Sequence, residues 1–390
     1  MDESRQDDPR YRAVTERIGE AGSVEHIATP ALVCELDSLK HNIDRMADLT
    51  AAANVGLRPH VKSHKSAYLA RMQLEAGAVG LACAKLSEAE AIVERLRRDG
   101  YYWRVSVLIT SPLVGTALAR RACALAAHCE LLLVVEDVED VNELAQAAIS
   151  NNVRLGVLCD VDVGQGRTGV DDPSSALRVV ERIASSPALR FAGVQGYAGQ
   201  LQHMANRDRR RAATVEANQR LGAVTSALES RGYDVALRTG GGTGSCVIDM
   251  ELGQLNELQC GSYVFMDRDY RDALGDDLEG QFHQSLHIVT TVLSTNRNRR
   301  VTVDAGLKAM ATDAGSPLVV DHEGTADYRF FGDEHGSITI SDKSTLRRGD
   351  RLRLVPPHCD PTVDRYDLIW MVRGDTVLGV ADIVARGCSQ

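Results

Sequence analysis

Residues 78–110 read AVGLACAKLSEAEAIVERLRRDGYYWRVSVLIT. Two short runs, 78–84 and 104–110, are apolar enough to be covered on both faces as strands. Between them SEAEAIVERLRR carries a Ser87 to Glu90 spacing that suits a capping box at the start of a helix. A doubly covered strand, a helix and a second doubly covered strand make a unit of parallel sheet.

The same unit recurs outward in both directions. PALVCEL, LRPHVK, ELLLVVE, VRLGVLCD, FAGVQGY and VALRT join the two runs above as strand candidates, and the stretch from Asp37 to Val55 reads as a helix ending before Gly56. Eight strands, each followed by a helix or crossover, predict a TIM-like (β/α)₈ barrel over residues 29–275. An open doubly wound sheet is the alternative, but a GxGxxG turn after the first strand is missing. Past residue 276 the rhythm becomes all-strand, in SLHIVTTVLST, RRVTVDA, GSITI, DRLRLVP, YDLIWMVRG and TVLGVADIVARG. A C-terminal β domain is therefore expected over 276–390, with residues 1–28 a polar arm that is free or joins it.

Composition narrows the function. Against 44 Lys and Arg stand 54 Asp and Glu, a net charge of −10 spread along the chain, which disfavours nucleic acid and anionic membranes as partners. No apolar run approaches the roughly 20 residues of a bilayer span, and the charged start MDESRQDDPRYR is unlike a secretory signal, so the chain reads as cytoplasmic. Nine cysteines without a CxxC pair read mostly as buried thiols; Cys359 alone sits among polar neighbours.

Barrel enzymes carry their reactive groups at the C-terminal ends of the strands. There GGGTGS, residues 240–245, reads as a glycine loop for a phosphate, and it lacks the GK[ST] ending of a nucleotide loop. In RPHVKSHK, residues 58–65, an extended backbone puts His60 and Lys62 on one face, where a desolvated Lys62 could form a Schiff base. His64 and Lys65 are expected beyond the strand end, solvated or capping the next helix; a zinc pair of His60 and His64 lacks further ligands. Arg167 in GQGRTG either pairs with Asp160 and Asp162 or bonds a cofactor ring. Gln195 and Tyr197 share a strand face, with His203 shortly after. In PPHCDPT, His358 and Asp360 point to one side of an extended segment as a minimal metal pair, or Asp360 is a cap and His358 incidental.

Taken together, RPHVKSHK, KLSEAEA, DVGQGRTGV, GGGTGS, NELQCGSYVFMDRDY, VDAGLKA, DEHG and LVPPHCDPT occur in one order, and the chain resembles the bacterial D-threonine aldolase and β-hydroxyaspartate aldolase family. That family belongs to the alanine-racemase-like pyridoxal phosphate enzymes and is related to D-serine dehydratase. The resemblance implies that Lys62 carries pyridoxal 5′-phosphate, and that Thr239, Gly241, Gly242 and Thr243 hold its phosphate with Gly261, Ser262 and Tyr263. It places Arg167, Gln195 and Tyr197 at the ring, His203 near the substrate β-hydroxyl, and a divalent cation (Mg²⁺, Mn²⁺ or Zn²⁺) on His358 and Asp360. A homodimer acting on a small amino acid is implied as well. Ala84 and Ser111-Pro112 depart from the Gln and Asn-Glu frequent in relatives, which bears on substrate scope. The related dehydratases tend to show His-x-Cys at the metal pair, whereas here the order is His-Cys-Asp; this favours aldol cleavage over β-elimination. A cofactor carrier of the same barrel type would lack the β domain, and a racemase would need a second acid–base group that the sequence does not identify.

Overall fold

The first apolar run forms a strand, β1 (Ala31–Glu35), but it is not a barrel stave. In the computed structural model, which describes residues 8–101, 105–275, 281–320, 322–340 and 346–390, β1 lies between antiparallel β10 (Leu286–Arg297) and parallel β16 (Leu368–Arg373). An unbroken apolar run says that both faces are covered; it does not say by which sheet.

The chain divides into two units, one comprising residues 46–62, 70–261 and 388–390, the other the chain up to Arg45 with 63–69 and 262–387. The first is the barrel. Its eight parallel strands are β2 (Gly56–Leu57), β3 (Leu81–Cys83), β4 (Ser106–Ile109), β5 (Glu130–Val135), β6 (Leu155–Asp160), β7 (Leu189–Gly196), β8 (Leu237–Gly240) and β9 (Glu257–Leu258). Each pairs with the next from β3 to β9, β9 returns to β2, and a parallel bridge from His60 to Ala82 joins the two remaining edges. The ring is thus closed, as the strand–helix alternation predicts, with β9 rather than β1 as the eighth stave. Short polar signals start the outer helices: Asp137 accepts from Glu139 N–H ahead of Val138–Ser150, and Asp172 accepts from Ser174 and Ser175 N–H ahead of Pro173–Ala184. The helix in the opening stretch begins at Leu86, its cap at Lys85 two residues ahead of the expected Ser87; Glu88 accepts the N–H groups of Ala84 and Lys85, and Ser87 instead bonds Gln390 O.

The second unit is built on a nine-stranded sheet ordered β13 (Ala326–Phe330), β14 (Gly336–Ile340), β11 (Arg300–Val303), β10, β1, β16, β17 (Thr376–Asp382), with β15 (Arg351–Val355) on β10 and β12 (Leu318–Val319) on β15. Its core includes Val14, Ile27, Val33, Val289, Trp370 and Val377, so residues 9–27 pack here, with the Tyr11 ring edge-on to Trp370 at 5.9 Å. The strands β12 and β13 escape sequence reading, the first because it is two residues long and the second because ADYRF mixes polar and apolar residues. No described helix is long and apolar enough to cross a membrane.

β2 and β9 contribute two residues each, and three backbone bonds join their segments, from Gly56, Arg58 and His60 N–H to Asn256, Leu258 and Cys260 O, so a side-chain tie adds to a short seam. Arg58 supplies the tie: its Nε and Nη2 donate to both Glu257 oxygens at 2.8 and 2.9 Å, and Nη1 donates to Ser106 Oγ and O. Both side chains are 5% exposed. Arg58→Ala leaves Glu257 buried and unpaired and should lower the unfolding free energy by roughly 3–5 kcal/mol. Urea denaturation of the single variants and of Arg58→Met/Glu257→Leu checks this; the double variant should recover most of the loss.

Candidate active site

The barrel unit carries Lys62 on a 3₁₀ turn, Val61–Ser63, just past the end of β2. The alternation expected through residue 62 therefore stops at His60. The two are linked through the backbone: His60 Nδ1 accepts Lys62 N–H at 3.4 Å while Nε2 lies 3.1 Å from Thr110 Oγ1. With both ring nitrogens engaged, His60 is no zinc ligand. Beyond the turn, His64 and Lys65 are buried, which overturns the solvated alternative for both. His64 Nδ1 accepts Ser66 N–H, and Lys65 Nζ pairs with Asp364 at 2.7 Å. A charge on a chain turn is easily read as exposed, and its partner lies some three hundred residues away.

Below the strand ends runs a buried polar network. Gln195 Nε2 donates to Asp160 Oδ1 (2.9 Å) and Thr110 O (3.2 Å), and Gln259 Nε2 donates to Gln195 Oε1 and Thr239 Oγ1, both at 3.1 Å. Burial pushes the Asp160 carboxyl up to about 6 against the hydrogen bonds from Gln195 and Thr168. Asp162, the other aspartate, folds the following loop by accepting N–H bonds from Gly164, Gln165 and Gly166. Arg167, at the end of that loop, lies over the Tyr197 ring at 5.4 Å, just past β7.

The glycine loop is packed from behind. A Cβ on Gly240 would strike Gly196 O, one on Gly244 would strike Gln202 O, and Gly241 has φ +65°. Gly244 N–H donates to Gln202 Oε1 (2.8 Å), and Ser245 Oγ accepts from Gly242 N–H and Gln202 Nε2 while donating to Asp249 Oδ2 (2.7 Å). The glycines thus serve close packing on residues 196–202 as much as open backbone amides. Thr239 and Thr243 are buried beside them, and His203, next to Gln202, is exposed. A phosphorylated cofactor suits this set: a loop held stiff, buried hydroxyls and a lysine on a fixed turn.

In the other unit Ser262 and Tyr263 form a buried 3₁₀ turn, with Tyr263 against Phe282 at 5.7 Å between rings. His358 and Asp360 do not lie on an extended segment. His358 is the extended residue before a short helix, Cys359–Val363, and Asp360 is inside its first turn. Both are half-buried, and Cys359 between them is fully buried, its N–H donating to Asp267 Oδ2 at 2.8 Å. Ser262 Oγ is 3.5 Å from Asp360 Oδ1. Among the described residues no three His, Cys, Asp or Glu side chains gather for a metal. An imidazole and a carboxylate on adjoining half-open positions nevertheless suit a divalent cation whose remaining ligands are water or substrate. Burial disfavours a charged His358 ring, but Asp360, Asp313 and Asp267 outweigh it and raise its proton affinity.

Two family models cover this architecture: alanine racemase, N-terminal domain, over residues 34–269, and a putative serine dehydratase domain over 285–372. The chain is 37% identical to 3-hydroxy-D-aspartate aldolase of Paracoccus denitrificans (strain Pd 1222) across 93% of its length and 92% of the relative. The chain belongs to the D-threonine and 3-hydroxy-D-aspartate aldolase family. D-threonine aldolase of Arthrobacter sp is 34% identical over 93% of this chain and 94% of that protein. The crystal structure of D-threonine aldolase from Filomicrobium marinum superposes with a TM-score of 0.89 at 34% identity, covering 94% of this chain and 98% of that one.

Within this family member, sequence reading missed the residues that hold others in place. Gln202, Ser245 and Asp249 shape the glycine loop, Thr110 and Gln259 hold the network, Asp267 holds the His358 loop, and Asp313 contacts its imidazole. Asp267 carried a usable signal as the cap before Arg268–Leu274, whose Tyr270 N–H it accepts. Asp249 is pushed up to about 6 by burial, against Asn218 and Ser245. Its raised value means a contribution to stability that is full below about pH 4 and lost as pH rises through about 6. Asp249→Asn removes the charge, so its unfolding free energy relative to wild type should rise by roughly 2–3 kcal/mol between pH 4 and pH 7. Denaturation at both pH values measures this; a pH-independent difference would show that Asp249 titrates as an exposed carboxyl does.

Proposed function

We propose that the chain is a pyridoxal-phosphate- and divalent-metal-dependent carbon–carbon lyase that splits D-configured β-hydroxy-α-amino acids, such as D-threonine or 3-hydroxyaspartate, into glycine and an aldehyde. The observation that carries this reading is the order at the His358 loop: the carboxylate of Asp360 sits half-open beside His358, while the Cys359 thiol is turned inward and buried. The same reading is supported by relatives named as aldolases that match 93% of the chain.

Pyridoxal phosphate supplies an electron sink at Cα, and a divalent cation on His358 and Asp360 supplies Lewis acidity to the substrate hydroxyl. The residues of the chain do the rest. Lys62 holds the cofactor covalently through its amine, and the turn that His60 braces keeps that amine in place. Thr239, Gly241, Gly242 and Thr243, with Gly261, Ser262 and Tyr263, bind the phosphate. Arg167 and Tyr197, already stacked on each other, orient the ring, and Gln195 supports it from the buried network. His203 accepts the β-hydroxyl proton as the bond from Cα to Cβ opens. The second reading, loss of the β-hydroxyl to give an oxo acid and ammonia, is kept by the serine dehydratase model over residues 285–372.

Incubation of the purified enzyme with D-threonine, D-serine and 3-hydroxyaspartate distinguishes the two: glycine with an aldehyde is expected, and ammonia with an oxo acid would replace this reading by the dehydratase. Lys62→Ala should abolish both turnover and the visible absorbance of the bound cofactor; retention of that band would remove Lys62 from its role. His203→Ala should lower kcat by about 10²–10⁴-fold with the band intact.

A further inference from the structure

We propose that Asp313 is the positioning residue of the metal site: it holds the His358 imidazole in the tautomer and orientation that present Nε2 as the ligand. The inference rests on the reading of His358 and Asp360 as metal ligands, and deepens it. His358 Nδ1 and Asp313 Oδ2 are 2.6 Å apart, a charge-assisted distance. A carboxylate accepts only, so the proton on that nitrogen belongs to the ring, and the lone pair of the imidazole is then on Nε2. Metal-bound histidines usually donate their second ring nitrogen to such a carboxylate, which fixes the ring and raises its basicity.

The contact is built into the chain on both sides. Thr362 Oγ1 donates to His358 O at 2.6 Å and accepts Ala311 N–H at 3.0 Å, so the segment that carries Asp313 is tied to the helix that follows His358. Behind the loop, Pro356 O and Pro357 O accept the N–H groups of Arg268 and Asp269, and Asp267 accepts that of Cys359. The backbone at 356–359 is therefore fixed without Asp313, and what Asp313 adds is control of the ring. A surface ion pair with no further task would be a competing account, since Asp313 is 57% exposed. The two accounts differ in what Asp313 removal should change.

Isothermal titration of chelator-stripped holoenzyme with Mn²⁺ decides between them. Wild type should bind Mn²⁺, and His358→Ala should lose that binding. Asp313→Ala should bind about 10–100-fold more weakly, with thermal midpoint and cofactor absorbance unchanged and with kcat restored at high Mn²⁺. Asp313→Asn, which can still accept from Nδ1–H, should recover part of the affinity. An Asp313→Ala affinity within about twofold of wild type, alongside a weakened His358→Ala, would overturn the positioning role while leaving the metal pair standing. If wild type itself fails to bind Mn²⁺, or His358→Ala binds as wild type does, the metal reading falls and this one with it.

Discussion

The bidentate pair of Arg58 with Glu257 ties the barrel at the short seam between β2 and β9. Removing two charges from water is expensive, and a well-packed apolar pair of the same volume would be as stable or more so. What the pair adds is register. Its fork geometry accepts one alignment of β2 against β9, and that alignment sets two segments at once: 59–62, which ends in Lys62, and 259–261, which begins with Gln259. A slip of one residue would turn both segments to the wrong side. The covalent anchor of the proposed chemistry is thus placed by an ion pair four residues upstream.

Above that closure the barrel interior changes character. The lower layers are filled by Leu108, Leu132, Val134 and Leu158, whereas near the strand ends the side chains of His60, Thr110, Asp160, Gln195, Thr239 and Gln259 bond one another. In a low-dielectric interior each such bond is strong and each missing partner is costly, so a connected network resists rearrangement more than an apolar layer of equal volume. It forms a stiff floor under residues that must keep their places while a substrate changes its charge.

The sequence disclosed architecture better than support. Alternating apolar runs and helices announced the barrel, because a parallel sheet imposes that composition on every stave. The same runs could not say that β1 belongs to the other sheet, since burial on two faces looks alike in either. The residues proposed for the site were picked out where a motif concentrates them, at Lys62, Arg167 and the glycine loop. Their braces were not: Thr110 reaches His60, Asp364 reaches Lys65 and Asp313 reaches His358 across tens to hundreds of residues, and each is an ordinary polar residue in its own neighbourhood. Period-2 reasoning failed at Lys62 and at His358 for a shared reason, because both sit where a strand has just ended and the chain turns into helix.

That turn into helix has a chemical consequence at the His358 loop. On a strand, His358 and Asp360 would share a face with Cys359 opposite. At a helix start the three side chains fan out by about 100° per residue, and the buried direction is taken by Cys359, whose N–H is held by Asp267. Burial raises the thiol pKa well above its ordinary value, with Asp267 and Asp360 adding to the effect, so the thiolate that a soft metal would need is disfavoured. The loop therefore offers one imidazole and one hard oxygen donor. In the proposed reaction such a pair would leave most of a cation's coordination to water and substrate, which suits a site that admits an alcohol oxygen and releases an aldehyde in every turnover.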